Sequence, residues 1–219
     1  MKNILLFGAT GRTGSQVLKY ALEKGYNVTA LVRSPEKITE KSENLKIIKG
    51  SPTNINDVRN AIKDCDRVIS TLNPISEKDL ASLKKIQSPR ILEKSIGNAI
   101  QCMEELKITK IAVVSSIGIG DTYLLSPWFM RMLGKITNFR NSYSDHNMQE
   151  SLLMKSDLDW VITRPVSLNN NEVLQNLIIS YDTKPNPFKI SRKQLAKFLV
   201  DSLENENYFK KALILSEKR

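Results

Sequence analysis

Only two cysteines, Cys65 and Cys102, and one histidine, His146, occur in this chain of 219 residues. These are too few ligands for a zinc site of Cys/His type and too few cysteines for a disulfide framework. Isolated cysteines of this kind are expected to be buried and reduced. Neither sits at a recognisable turn, which argues against a Cys–His nucleophile pair. Long apolar runs are missing as well, none reaching the ~18 residues that a membrane helix needs. Met1-Lys2-Asn3 is followed by only Ile4-Leu5-Leu6-Phe7 before a glycine, short of a signal-peptide core. These absences predict a cytoplasmic protein without a metal and without a membrane partner. Basic residues outnumber acidic ones by 33 to 23, for a net charge of +10. They are spread along the chain, and no Lys/Arg block is interleaved with aromatics as on an RNA-binding surface. The charge reads as a solvated surface that also favours anionic ligands, and no nucleic-acid partner is expected.

Short apolar runs rich in Val, Ile and Leu recur at 4–7, 28–32, 45–48, 67–71, 111–114 and 160–163, and read as buried strands. Between them, residues 12–24, 54–62 and 91–106 carry apolar side chains at helical spacing. Strands alternating with helices predict an α/β fold of doubly wound type, a mostly parallel sheet with helices on both faces. The length fits a single domain over 1–219, since domains of about 100–250 residues bury a full core unaided. Two stretches interrupt the rhythm, at about 74–90 and 118–142. The second holds Ser126-Pro127-Trp128-Phe129-Met130, a helix start with proline near its first turn. Trp128, Phe129, Met132, Leu133 and Ile136 share one face of that helix. The face either packs on the core or borders a ligand, because long loops after parallel strands are where such folds place substrate.

The densest signal is Gly8-Ala9-Thr10-Gly11-Arg12-Thr13-Gly14, directly after the first strand and opening the first helix. A diphosphate needs close backbone approach, a tight turn, and a helix N-terminus with free N–H groups and the positive end of the dipole. Gly8 can turn the chain, Gly11 can let the backbone touch phosphate, and Gly14 can let helix and strand pack closely. The strand–turn–helix context is what makes this spacing a nucleotide signal; the alternative is a tight turn without ligand. The second strand then selects the nucleotide. NAD binders place Asp or Glu at its end, about 20 residues after the glycines. Here it ends Leu31-Val32-Arg33-Ser34-Pro35-Glu36-Lys37. Arg33 can pair with a 2′-phosphate, Lys37 can add charge, and Ser34 is an N-cap candidate. The expected cofactor is therefore NADP(H), the alternative being a solvated Arg33 beside a capping Ser34.

These residues, with Val114-Ser115-Ser116-Ile117-Gly118, Asp159-Trp160-Val161-Ile162-Thr163-Arg164-Pro165 and Ile190-Ser191-Arg192, stand in the order seen in atypical short-chain dehydrogenases. Over essentially its whole length the chain resembles their NAD(P)H-binding, NmrA-like group, and within it the biliverdin-IXβ/flavin reductases. The resemblance implies that Thr10, Gly11, Arg12 and Thr13 line the diphosphate and Arg33 the 2′-phosphate. It implies that Thr71, Leu72 and Asn73 border the nicotinamide ribose. Ser115 and Ser116 then reach the nicotinamide and the acceptor, and Pro165, Val166 and Ser167 flank the carboxamide. Where the family often has Gly-Asp contacting adenine, this chain has Gly50-Ser51-Pro52, which weakens that contact or leaves it to backbone.

A second departure concerns catalysis. Ordinary short-chain dehydrogenases pair Tyr with Lys four residues on, whereas Tyr143 is followed by His146 at three and Asn147 at four. Tyr143-Ser144-Asp145-His146 resembles an Asp-His segment of the flavin/biliverdin reductases, so His146, at the start of a helix running to Lys155, can bond a substrate or shuttle a proton. The alternative is a surface or capping role for Asp145 and His146. Three functions fit: an NADPH-dependent reductase of a flat conjugated acceptor such as flavin, quinone or tetrapyrrole; a nucleotide-sensing regulator with a protein partner; and a carbonyl reductase with an unconventional acid. For the first, Ser116 orients the small-molecule acceptor, His146 and Tyr143 are auxiliary donors, and Trp128, Phe129 and Met132 cover the cleft. The oligomeric state is not readable from the chain.

Overall fold

The computed structural model describes residues 2–75, 79 and 90–219. Strand β1 (Asn3–Phe7) leads into helix α1 (Arg12–Glu23), then β2 (Asn27–Val32), β3 (Leu45–Lys49), α2 (Ile55–Ala61) and β4 (Arg67–Ser70). Next come α3 (Ile91–Glu105), β5 (Lys110–Val114), α4 (Trp128–Ile136), α5 (Phe139–Lys155) and β6 (Asp159–Pro165). The chain closes with β7 (Leu168–Asn169), β8 (Asn176–Ser180), β9 (Ile190–Ser191), α6 (Arg192–Ser202) and β10 (Lys211–Lys218). Eight strands form one sheet in the order β3-β2-β1-β4-β5-β6-β10-β8, parallel except for β8, which runs antiparallel to β10. β7 and β9 make a small parallel pair beside it.

Strand β1 shows why the run Ile4-Leu5-Leu6-Phe7 is apolar throughout. Side chains alternate across a sheet, so a strand covered on both faces has no polar side. Ile4 and Leu6 pack with Val17, Leu18 and Ala21 of α1 and with Leu195 and Leu199 of α6. Leu5 and Phe7 pack on the opposite face with Val58 of α2, Ile96, Ala99 and Met103 of α3, and Leu153 of α5. Each of the four is fully buried, a stabilisation of about 1.5–3 kcal/mol apiece. The edge strand β3 is different. Lys46 and Lys49 are exposed there, which guards an open edge against pairing with another chain.

The six expected strands and three expected helices are all present, within two residues of the expected ends. Helix α4 starts at Trp128 behind Pro127. The expected elaboration at 74–90 lies largely outside the described residues. One expectation needs correcting. His146 is not at the start of its helix, because α5 begins at Phe139, about two turns earlier. The intervening Asn, Ser and Arg residues read as loop because short polar side chains compete with the backbone for hydrogen bonds.

This earlier start gives Asp145 a structural task. Helix α3 opens after Arg90, whose backbone is left-handed (φ 47°) and whose side chain caps nothing. Asp145, reaching across from α5, accepts from the Leu92 and Glu93 N–H groups, each at 3.0 Å. It thus satisfies two of the helix's orphan donors and complements its dipole from a neighbouring element. Asp145→Ala is expected to cost about 1–3 kcal/mol of stability, read from the denaturant midpoint. A change below about 0.3 kcal/mol would show that other groups satisfy this helix start.

Candidate cofactor site

Strands β1 and β4 lie side by side but lead to opposite halves of the sheet, since the chain reaches β2 and β3 on one side and β5 and β6 on the other. Such a reversal opens a crevice at the C-terminal ends of the strands, where doubly wound folds bind ligands. A cavity of about 600 Å³ lies there, within the range of small-molecule and cofactor sites. Its wall joins the glycine turn (Gly8, Thr10, Gly11, Arg12 and Thr13) to the β2 end (Leu31, Val32 and Arg33), Pro52, and the segment after β4 from Thr71 to Ile75. Ile91, Leu168 and Arg192 complete it.

The glycines of the turn are required by contact. Gly8 has φ +82°, and its carbonyl accepts from the Gly11 N–H at 2.9 Å. A Cβ on Gly14 would sit 1.9 Å from the Gly8 carbonyl oxygen, and one on Gly8 would sit 2.7 Å from Thr71 Oγ1. Gly14 therefore packs against the turn itself rather than against the strand. Thr71 Oγ1 in turn donates to the Phe7 carbonyl at 3.0 Å, tying the ends of β1 and β4 together.

Helix α1 is left open to an anion. Gly11 offers no capping side chain, and no acid lies in the first turn. Its N-terminal N–H groups and the positive end of its dipole thus face the crevice without an internal partner of opposite charge. The start of α3, by contrast, already has Asp145. The α1 and α3 starts thus differ: an acid already meets the second and none lies in the first turn of the first.

The remaining expected residues divide by position. Arg33 is exposed and on the wall, with no acid at the β2 end. Ser34 and Lys37 are off the wall, and Ser34 makes no capping bond at the short helical turn Pro35–Lys37. Pro52 lines the cavity, while Ser51 is held by its own loop: its N–H donates to Asp57 at 2.8 Å and its hydroxyl pairs with Thr53 at 2.8 Å. Thr71, Leu72 and Asn73 are all on the wall. Pro165, Val166 and Ser167 lead to Leu168, the residue of that stretch that reaches it.

At the β5 end the polar groups are already engaged or enclosed. Ser115 Oγ donates to Glu150 Oε1 at 2.5 Å, in a buried network where Arg164 bonds both oxygens of Glu150, at 3.1 and 2.6 Å. Asp121 joins the same guanidinium at 2.7 Å. Ser116 Oγ turns back to the Ile117 carbonyl at 3.0 Å. The Tyr143 hydroxyl is enclosed without a partner among the described residues, and burial raises its pKa. His146 is 6% exposed, and burial pushes its imidazole down to about 4. Trp128 is the reverse, 68% exposed. With Phe129 and Met132 it stands away from the cavity wall, so the α4 face neither packs on the core nor closes this crevice.

The residue missed by the sequence is Arg192, buried and on the wall at the first position of α6. Its position was itself a signal. A cation in the first turn opposes the helix dipole and needs a compensating reason.

With the site described, the relatives can be placed. A family model for NAD(P)H-binding proteins matches residues 8–206. The chain belongs to the NAD(P)H-binding family. Cinnamoyl-CoA reductase 1 of Petunia hybrida is 27% identical over 52% of this chain, which spans only about a third of that enzyme's length (35%). Among solved structures, a short-chain dehydrogenase/reductase from Veillonella parvula in complex with NADP superposes with a TM-score of 0.76. It covers 99% of this chain and 94% of that one at 16% identity. ChuY, an anaerobilin reductase from Escherichia coli O157:H7, superposes with a TM-score of 0.78 at 21% identity, covering 99% and 97% of the two chains. At such identities the likeness is one of fold: a Rossmann-type sheet shared with oxidoreductases.

The buried His146 generates a pH test. Its folded value lies near 4, against an ordinary 6.5 for the unfolded chain. The unfolded chain therefore takes the proton first, and stability falls as pH drops from about 6.5 to about 4, by at most about 1.4 kcal/mol per pH unit. His146→Gln should lose stability less steeply across that window in urea titrations. Parallel curves would mean that the imidazole is solvated.

Proposed function

We propose that this protein is an NADPH-dependent reductase of a flat conjugated acceptor, such as a flavin, a quinone or a tetrapyrrole. The observation that carries this reading is that, among the described residues, the polar groups at the β5 end are engaged or enclosed and none is placed as an available acid. Ser115 is committed to Glu150, His146 is buried and held neutral, and the Tyr143 hydroxyl is enclosed. Asn147 stands where the short-chain dehydrogenase lysine would be. A ketone that accepts hydride develops an alkoxide and needs a positioned acid, an aid of about 10²–10⁴-fold. A conjugated ring spreads the arriving charge and can take its proton from water. The shared fold with a tetrapyrrole reductase supports the same acceptor class.

The bound nicotinamide would supply the hydride; the chain supplies binding and orientation. The cradle fits such a cofactor, because Gly8 and Gly14 hold the turn in a tight form that a Cβ would break, and no acid in the first turn opposes the α1 dipole. The 11–13 turn would hold the diphosphate, and Arg33 the 2′-phosphate. Thr71, Leu72 and Asn73 would border the ribose, with Pro165, Val166 and Ser167 beyond it. Ser34, Lys37 and Ser51 would act at the adenine end only if their loops close over it. Ser116 would orient the acceptor. Trp128, Phe129 and Met132, exposed and off the cavity wall, would meet an acceptor only outside that cavity.

Two measurements test this. Nucleotide titrations should favour NADPH over NADH by about 10–100-fold, and Arg33→Asp should reduce or invert that preference. Equal affinities in the unmodified protein would remove the NADPH assignment. NADPH oxidation should be supported by at least one of FMN, a naphthoquinone and biliverdin, with Ser116→Ala costing about 10-fold or less. A loss of about 10³-fold in Ser116→Ala, with cofactor affinity intact, would favour a carbonyl reductase instead. Tight NADPH binding without turnover on any of these acceptors would favour a nucleotide-sensing regulator.

A further inference from the structure

Two arginines meet on one side of the cavity. Arg12 and Arg192 are the first residues of α1 and α6, and both line the wall. Each stands at the positive end of its helix, where the dipole disfavours a cation. Arg192 is only 9% exposed. Among the described residues its side chain bonds one neutral group, Asn170 Oδ1 at 2.7 Å. Neither acid near this helix start bonds it: Glu217 accepts from Ser191 Oγ at 2.9 Å through Oε2, with its buried Oε1 unpartnered among the described residues, and Glu172 pairs with Lys193 at 3.5 Å. Burial, and then the charge of Arg12, lower the Arg192 pKa from its ordinary value. A guanidinium has five N–H donors in a planar fork, so a single acceptor leaves most of that fork unused.

We infer that Arg192 is a diphosphate-binding residue, gripping the cofactor from α6 beside Arg12 of the glycine turn. The inference rests on the cofactor reading above and adds a residue to it. The glycine turn supplies N–H groups and about half a unit of dipole charge, whereas a diphosphate brings about two negative charges. A guanidinium supplies the missing neutralisation through paired, charge-assisted hydrogen bonds. A buried cation without an acid disfavours the ligand-free fold, and an arriving anion relieves it. The same arginine therefore weakens the empty protein and strengthens the complex.

The test uses both effects. Arg192→Met keeps the apolar stem and removes the charge. Its affinity for NADP⁺ and for 2′-phosphoadenosine 5′-diphosphoribose should fall about 10–100-fold. Its affinity for adenosine 2′-monophosphate, which lacks the diphosphate, should change by less than about threefold. The ligand-free melting temperature should stay level or rise. Arg192→Lys should recover part of the affinity, because it restores the charge but not the fork. Unchanged NADP⁺ affinity in Arg192→Met overturns the inference and leaves the cofactor reading standing. Equal weakening for all three ligands, or a lowered ligand-free melting temperature, makes Arg192 a packing residue and also overturns it. Failure of the unmodified protein to bind NADP⁺ overturns both.

Discussion

The contact between Gly14 and the Gly8 carbonyl sets the direction of α1 and, through it, the whole binding side of the molecule. With 1.9 Å between that oxygen and any Cβ placed on Gly14, only glycine lets the helix begin this close to the strand end. The same turn brings Gly8 against Thr71, whose hydroxyl holds the ends of β1 and β4 together. The crevice at the switch point is thus a consequence of backbone packing before any ligand arrives. What the sheet contributes is rigidity: Ile4 to Phe7 of β1 are buried on both faces, so the turn is mounted on a strand held by the core.

Electrostatics then decides what the crevice accepts. Three helices, α1, α3 and α6, start at its wall, and the chain treats them differently. Asp145 fills the α3 start, whereas α1 begins with a glycine and an arginine and has no acid in its first turn. Arg33 and Arg192 add to the positive charge of the same wall. A net charge of +10 adds a long-range field of the same sign, which favours encounter with an anionic nucleotide. The β5 end is the chemical counterpart: its carboxylate, guanidinium and serine hydroxyl satisfy one another and keep the strand ends in place. On the proposed function, such a site would orient a reactant and lend it no proton.

Features governed by local pattern were legible in the sequence; features set by distant packing were not. The glycine turn and the alternation of apolar strands with amphipathic helices follow from short-range periodicity, and they gave the sheet and the crevice. The last strands are a different matter. Ala212 to Leu215 is a four-residue apolar run between Lys211 and Ser216, equally suited to strand or helix until it is set in register with Ile162 to Pro165. For Asp145 a capping role was among the alternatives, but which helix it caps, and the burial of His146, could not be read because nothing local reveals that α3 packs over them. The apolar face of α4 carries a helical stripe, but periodicity cannot say whether a stripe faces the core or water, and here it faces water. Arg192 escaped notice because its meaning lies in Arg12, 180 residues earlier in the chain yet on the same cavity wall.

The central claim is that hydride moves to an acceptor without help from a protein acid. The most direct measurement is the turnover rate with a flavin or quinone acceptor from about pH 6 to about pH 9, using NADPH carrying deuterium at the transferred position of C4. The account predicts a rate slowed by deuterium and flat across that range. A rate that falls through a single ionisation, and that loses its dependence when Tyr143 or Ser116 is replaced, would contradict it.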